Sequence, residues 1–180
     1  MPRTTARPAY GFGPRPTAET RQAAEKLLRA RLADAGIALE SLPDLPLAYA
    51  LLPPEGGMRP DGRPSGRIVK LLAQAAPHRR GGRGSLGLHW LLPSDFEEYV
   101  ALVDLSREAV WLLPAPEFRS RAQPLEAGRY HLDWLVLRLG RSKVADESEF
   151  EGFKLERVLE AGGWRSEERQ ATSSLQPPTP

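Results

Sequence analysis

The sequence predicts an α/β (α+β) fold: a single domain with a mixed central β-sheet of about five strands, flanked by an N-terminal and a C-terminal helix. Three observations predict it. Apolar residues recur at helical spacing near each end of the chain, in "AETRQAAEKLLRARLADA" and "DESEFEGFKLERVLEAGG". Between these segments lie short apolar runs of strand length, separated by clusters of Pro, Gly and charged residues. A chain of 180 residues that is 41% hydrophobic suits one core and is small for two.

Composition sets the boundaries. Residues 1–16 are rich in Pro, Gly, Thr and Arg, and residues 164–180 end in "SSLQPPTP". Neither stretch has a period, so both are predicted to be disordered arms around a domain at 17–163. Thr17 is placed to cap the first helix, where Ala24, Leu27, Leu28, Leu32 and Ala35 share helical spacing and Gly36 supplies the stop. Residues 37–42 read as extended, and "LPLAYALLP" as a short strand bounded by prolines. The turn-rich "PPEGGMRPDGRPSG" prevents regular structure.

"RIVKLLAQA" then reads as a buried strand that runs into an Arg/Gly loop, followed by the strand "SLGLHWLL". "YVALVDL" and "AVWLLP" form a hairpin across a tight turn at 104–108. "GRYHLDWLVLRLG" is a further strand candidate. Asp146, with Glu149 three residues on, is placed to cap a C-terminal helix with apolar positions at Phe150, Phe153 and Val158 and a double-glycine stop.

Charge and composition exclude several classes of function. With 25 Lys and Arg against 23 Asp and Glu, the net charge is +2, so the chain is no polycation, although its positive charge is carried almost entirely by Arg. The absence of cysteine removes disulfides, zinc–thiolate sites, Fe–S clusters and thiol nucleophiles. No apolar leader and no membrane-length run is present, which predicts a cytoplasmic protein that does not engage the membrane. P-loop, GxSxG and dinucleotide-binding patterns are missing, so no cofactor is expected. His78, His89 and His131 are far apart in the chain and lack metal-site spacing, so neither a metal site nor a catalytic residue is expected from them.

The most suggestive stretch is "GRIVKLLAQAAPHRRGGRG". Glycines let a backbone approach phosphate closely, and Arg forks reach pairs of phosphate oxygens. Arg67, Lys70, His78, Arg79, Arg80 and Arg83 are therefore the candidate nucleic-acid contacts, with Arg59 and Arg63 in the neighbouring turn. The competing reading is a solvated basic connection between two apolar strands.

"LAYALLPPEGG", "GRIVKLLAQAA", "YVALVDLSREAVWLLP" and the "PAPEF" that follows, in this order after a first helix, resemble the PD-(D/E)xK nuclease-like superfamily. The likeness is to its restriction-type and group I intron-associated endonuclease branch, and it covers roughly residues 18–118. Such nucleases hold Mg²⁺ on strand carboxylates beside a Lys. Under the resemblance, the acid, apolar and Lys positions fall on Leu72, Ala73 and Gln74, and the strand that delivers the Asp reads Tyr49, Ala50, Leu51. Leu and Ala cannot ligate Mg²⁺, and Gln can neither carry charge nor act as a base.

The resemblance thus implies an inactive nuclease homologue that binds nucleic-acid backbone through the Arg/Gly loop or supports a DNA-processing assembly. Two other readings stay open. One is a divergent metal-dependent nuclease whose ligands have moved to Asp104, Glu108 and Glu25, although a solvated hairpin turn capped by Asp is the commoner role for the first two. The other is a structural or protein-interaction module whose apolar strands pair with a protein partner or a second copy of the chain.

Overall fold

The computed structural model describes residues 15–55, 60, 66–76, 78–80, 85–125, 129–138 and 148–165. The candidate contacts Arg59, Arg63 and Arg83 lie outside the described residues, as does the expected cap Asp146.

In chain order the elements are α1 (Ala18–Ala33), β1 (Ala38–Ser41), β2 (Ala48–Leu52), β3 (Arg67–Gln74), β4 (His78–Arg80), β5 (Ser85–Pro93), β6 (Tyr99–Asp104) and β7 (Ala109–Pro114). They continue with α2 (Ala115–Arg121), β8 (Gln123–Leu125), β9 (Arg129–Arg138), α3 (Ser148–Glu151) and α4 (Leu155–Ala161). Five strands form the expected mixed sheet, in the order β1-β2-β3-β6-β7, with β3 and β6 parallel and the remaining pairs antiparallel. The other four form a second, antiparallel sheet in the order β4-β5-β9-β8.

Strand alternation gives the mixed sheet two apolar faces, and each is covered by a different layer. On one face Val69, Leu71 and Ala73 of β3, Ala101 and Val103 of β6 and Leu112 of β7 meet Ala24, Leu28 and Leu32 of α1, with Leu155 and Trp164 closing the same core. On the other, Val100, Leu102, Trp111 and Leu113 meet Leu88, Trp90 and Leu92 of β5, together with Phe118 of α2 and Phe150 of α3. The result is a layer of helices, a mixed sheet and a second sheet around one domain. Trp164, the first residue of the sequence-predicted tail, is 1% exposed.

Local chemistry accounts for the ends of the elements. The Thr17 hydroxyl accepts the Thr20 amide at 3.1 Å, which caps α1. Gly36 follows the helix at φ 71°, a left-handed conformation that glycine adopts without strain. Pro116 and Glu117 in the first turn of α2 suit a helix start, a signal that the apolar hairpin before it obscures. The single C-terminal helix expected from sequence is broken into α3 and α4 at Gly152–Lys154. The reason is the open edge of β7: the Leu112 amide donates to the Phe153 carbonyl at 2.8 Å, and Lys154 bridges Trp111. A continuous helix would keep those groups for itself and leave a buried strand amide unpaired.

β3 starts where it does because of Gly66. A Cβ at that position would lie 1.7 Å from the Leu51 carbonyl oxygen and 2.6 Å from its carbon, so β2 and β3 close only over a bare Cα. Replacing Gly66 with Ala forces the strands apart, and the expected loss is at least about 2 kcal/mol. Urea unfolding of Gly66→Ala beside wild type measures it, and an unchanged midpoint would contradict this packing.

Candidate nucleic-acid interface

The second sheet carries three of the six candidate contacts, His78, Arg79 and Arg80, and its register decides which of them share a face. Leu88 and Leu92 are fully buried and Trp90 is 1% exposed, against the mixed sheet, while the intervening His89 and Leu91 are half-buried on the opposite, outer face. Residues directly paired across antiparallel strands lie on the same face. His78 pairs with Gly87 and Arg80 with Ser85, which sets both on the outer face, whereas Arg79 pairs with Leu86 and falls on the other.

On the far side of β5, His89 pairs with Asp133, Leu91 with His131 and Pro93 with Arg129, so these partners also share the outer face. A β-bulge between Leu86 and Gly87 shifts the register by one residue on β9, and Ser85 pairs with Arg138. Strict alternation from Arg129 would put Arg138 on the inner face; the bulge returns it to the outer one. The outer face therefore gathers His78, Arg80, Arg129 and Arg138 with His89 and His131. Asp133 is its only carboxylate among the described residues.

Arg67 and Lys70 stand apart from this face and from each other. Their spacing of three along β3 puts them on opposite sides of the mixed sheet. Arg67 donates from Nε to the Trp164 carbonyl at 3.0 Å and stacks 5.8 Å from the Tyr99 ring centroid. Lys70 sits 5.6 Å from the Phe96 ring centroid. β3 is eight residues long, about 23 Å from end to end, so Arg67 lies a strand length away from the point at which the chain turns toward β4.

The strand positions Leu72, Ala73 and Gln74 are built into the fold. Leu72 packs against the core between the sheets, Ala73 is buried on the helix side, and the Gln74 side chain donates from Nε2 to the His89 carbonyl at 2.7 Å, tying the two sheets together. Asp104 is fully buried rather than solvated. Its carboxylate accepts the Ser106 amide at 3.0 Å, the Ser106 hydroxyl at 2.7 Å and Arg107 Nε at 2.7 Å, capping the 3₁₀ turn at Leu105–Arg107 that joins β6 to β7. Glu108 closes that turn in a left-handed conformation at φ 50°.

Glu25 lies elsewhere, on α1, where it accepts Arg29 Nε at 2.9 Å and the Tyr49 hydroxyl at 2.9 Å; Arg29 also donates to the Leu39 carbonyl. Burial pushes the Glu25 carboxyl up, but the hydrogen bonds from Arg29 and Tyr49 outweigh it and hold the group below its ordinary value. Burial first, and then the bond to Glu25, push the Tyr49 hydroxyl up to about 12. Among the residues whose side chains are described, no three His, Asp or Glu groups are placed to hold a metal ion. No described helix is long and apolar enough to cross a membrane.

No protein-family model and no curated protein matches the sequence. Among solved structures, the chain is similar to a bacterial homing endonuclease at 15% identity and a TM-score of 0.47, over 88% of this chain and 99% of that one.

Two stability predictions follow from the side chains just described. Asp104→Ala leaves the turn amide and Arg107 without their buried acceptor and is expected to cost about 2–3 kcal/mol in denaturant unfolding; a cost within error of zero would contradict the cap. Because the folded Tyr49 pKa stands above its ordinary 10.0, its contribution is complete below pH 10 and is lost as pH rises toward 12. Tyr49→Phe is expected to cost about 1 kcal/mol at neutral pH and to flatten that alkaline decline in a urea-midpoint series against pH.

Proposed function

We propose that this chain is a noncatalytic PD-(D/E)xK-like domain that binds nucleic-acid backbone through the β4–β5 hairpin and the outer face of the second sheet. The carrying observation is the register that sets His78, Arg80, Arg129 and Arg138 on one face with a single carboxylate among the described residues. Arg79, on the other side of β4, and Arg83, in the sequence between β4 and β5, add to the positive charge of this stretch of the chain. A polyanion with regularly spaced phosphates complements such a face, and Arg is the side chain that pairs with phosphate bidentately. Contacts of this kind hold backbone without reading sequence, so binding is salt-sensitive and tolerant of sequence.

The noncatalytic part of the proposal rests on the replacements in the strands. Leu72 and Ala73 supply no ligand, Gln74 is engaged with the β5 backbone, and the strand expected to deliver the Asp reads Tyr49, Ala50, Leu51, without a carboxylate. Relocated carboxylates are the second reading, and their placement does not favour it: Asp104 is spent on its own turn and Arg107, while Glu25 is held by Arg29 and Tyr49 on α1.

Fluorescence anisotropy with labelled single- and double-stranded DNA over a salt series tests the binding. Wild type is expected to bind at low salt, and the triple variant Arg79→Ala, Arg80→Ala, Arg83→Ala to bind less tightly, with a duplex salt slope flatter by about 2–3 units. No binding at low salt, or binding indifferent to the three arginines, would remove the proposed interface. Mg²⁺- or Mn²⁺-dependent cleavage that is abolished in Glu25→Gln would overturn the noncatalytic assignment.

A further inference from the structure

We propose that the β1 edge of the mixed sheet accepts an extended, basic segment of a partner protein as an added strand. The two ends of that sheet are finished differently. β7 is closed by the chain itself, through the Leu112 amide on the Phe153 carbonyl and the bridge between Trp111 and Lys154. β1 pairs only with β2 among the described strands, and its Ala38, Glu40 and Ser41 are exposed.

The phase of the β1–β2 ladder fixes which backbone groups an added strand meets. The Leu42 amide donates to the Ala48 carbonyl at 3.0 Å, and bonded pairs recur at every second residue of an antiparallel ladder. Glu40 and Ala38 are therefore the bonded residues of β1, and Leu39 and Ser41 turn their backbone groups away from β2. The Arg29 guanidinium agrees with this phase, because it reaches the Leu39 carbonyl from the open side. The Leu39 amide and both backbone groups of Ser41 face the same side, at the two-residue spacing that an incoming strand matches.

Side chains select the chemistry of the partner. Glu40 shares a face with Ala50, its direct partner on β2, and Asp44 follows in the hairpin; neither has an ion pair among the described residues. Arg29, the cation at this edge, is held by Glu25. Leu45, 46% exposed, is the one large apolar side chain exposed among the described residues, and it lies in the same hairpin. Two free carboxylates beside open strand groups attract Lys or Arg on the added strand and repel a polyanion. The proposal stands independently of nucleic-acid binding, since it uses neither the second sheet nor a phosphate.

The test uses the full chain and a short fluorescein-labelled peptide of alternating Val and Lys, beside its Val and Glu counterpart. Anisotropy is expected to show saturable binding of the Lys peptide and weaker binding of the Glu peptide. Ser41→Pro removes an outward amide that the β1–β2 ladder does not use. It is expected to leave circular dichroism unchanged and to weaken Lys-peptide binding at least about 5-fold, as for a lost strand hydrogen bond. Glu40→Lys is expected to weaken the same peptide about 2–5-fold, the range of an exposed ion pair. In wild type the peptide is expected to slow amide exchange at Leu39 and Ser41 and leave Glu40 unchanged, a readout that needs no variant to fold. No saturable binding, equal affinity for the two peptides, unmoved affinity in folded Ser41→Pro, or unslowed exchange at Leu39 and Ser41 would overturn the proposal. So would a concentration-dependent dimer of the free protein that Ser41→Pro abolishes, which would give the edge to a second copy of the chain.

Discussion

The contact between Leu88, Trp90 and Leu92 of β5 and the underside of the mixed sheet is the constraint on which the rest of the arrangement depends. Each of these side chains is removed almost completely from water, worth about 1.5–3 kcal/mol for a fully buried large apolar residue. Because strand side chains alternate, burying one set commits the other to the outer face. The candidate interface is thus a consequence of core packing: once Trp90 faces inward, His89 and its neighbours on the paired strands face outward. Gln74 fastens the same junction from the mixed-sheet side with one charge-neutral hydrogen bond to the His89 backbone.

That arrangement separates jobs that the linear sequence mixes. Arg67 and Lys70 share a strand with apolar core residues, and their long side chains lie against Tyr99 and Phe96, with Arg67 also holding the Trp164 carbonyl. They are cations used for assembly, with their charge near aromatic faces. His78, Arg80 and Arg129 hold outer-face positions on β4 and β9 by register, and the bulge in the β5–β9 ladder adds Arg138 to that face. A one-residue slip in that ladder would transfer the basic side chains inward and the apolar ones outward, so register and charge distribution are specified together.

The buried carboxylate and the carboxylate on α1 illustrate how position decides role. Asp104 ends a strand that pairs on both sides, at the point where the chain must reverse within a few residues; its carboxylate satisfies the turn and the adjoining guanidinium. Glu25 faces a tyrosine on β2, and together with Arg29 this pair connects α1 to the first strands of the sheet. Glu25 is a structural link between α1 and the sheet, whereas Asp104 fixes the turn that ends β6.

Much of the fold was legible in the sequence, because its signals are local. The 3.6-residue apolar period with Thr17 and Gly36 at its ends determined α1, and apolar runs bounded by Pro and Gly determined the strands and the β6–β7 hairpin. The sequence also carried the cluster His78, Arg79 and Arg80. Tertiary structure decided what no local signal encodes: that Ser85–Pro93 covers the mixed sheet from below instead of extending it, that the C-terminal helix breaks to pair with β7, and that Asp104 is buried. It also decided that Arg67 and Lys70 fall on opposite sides of the mixed sheet. Periodicity says which residues along one strand share a face, but only pairing between distant strands says whose face they share.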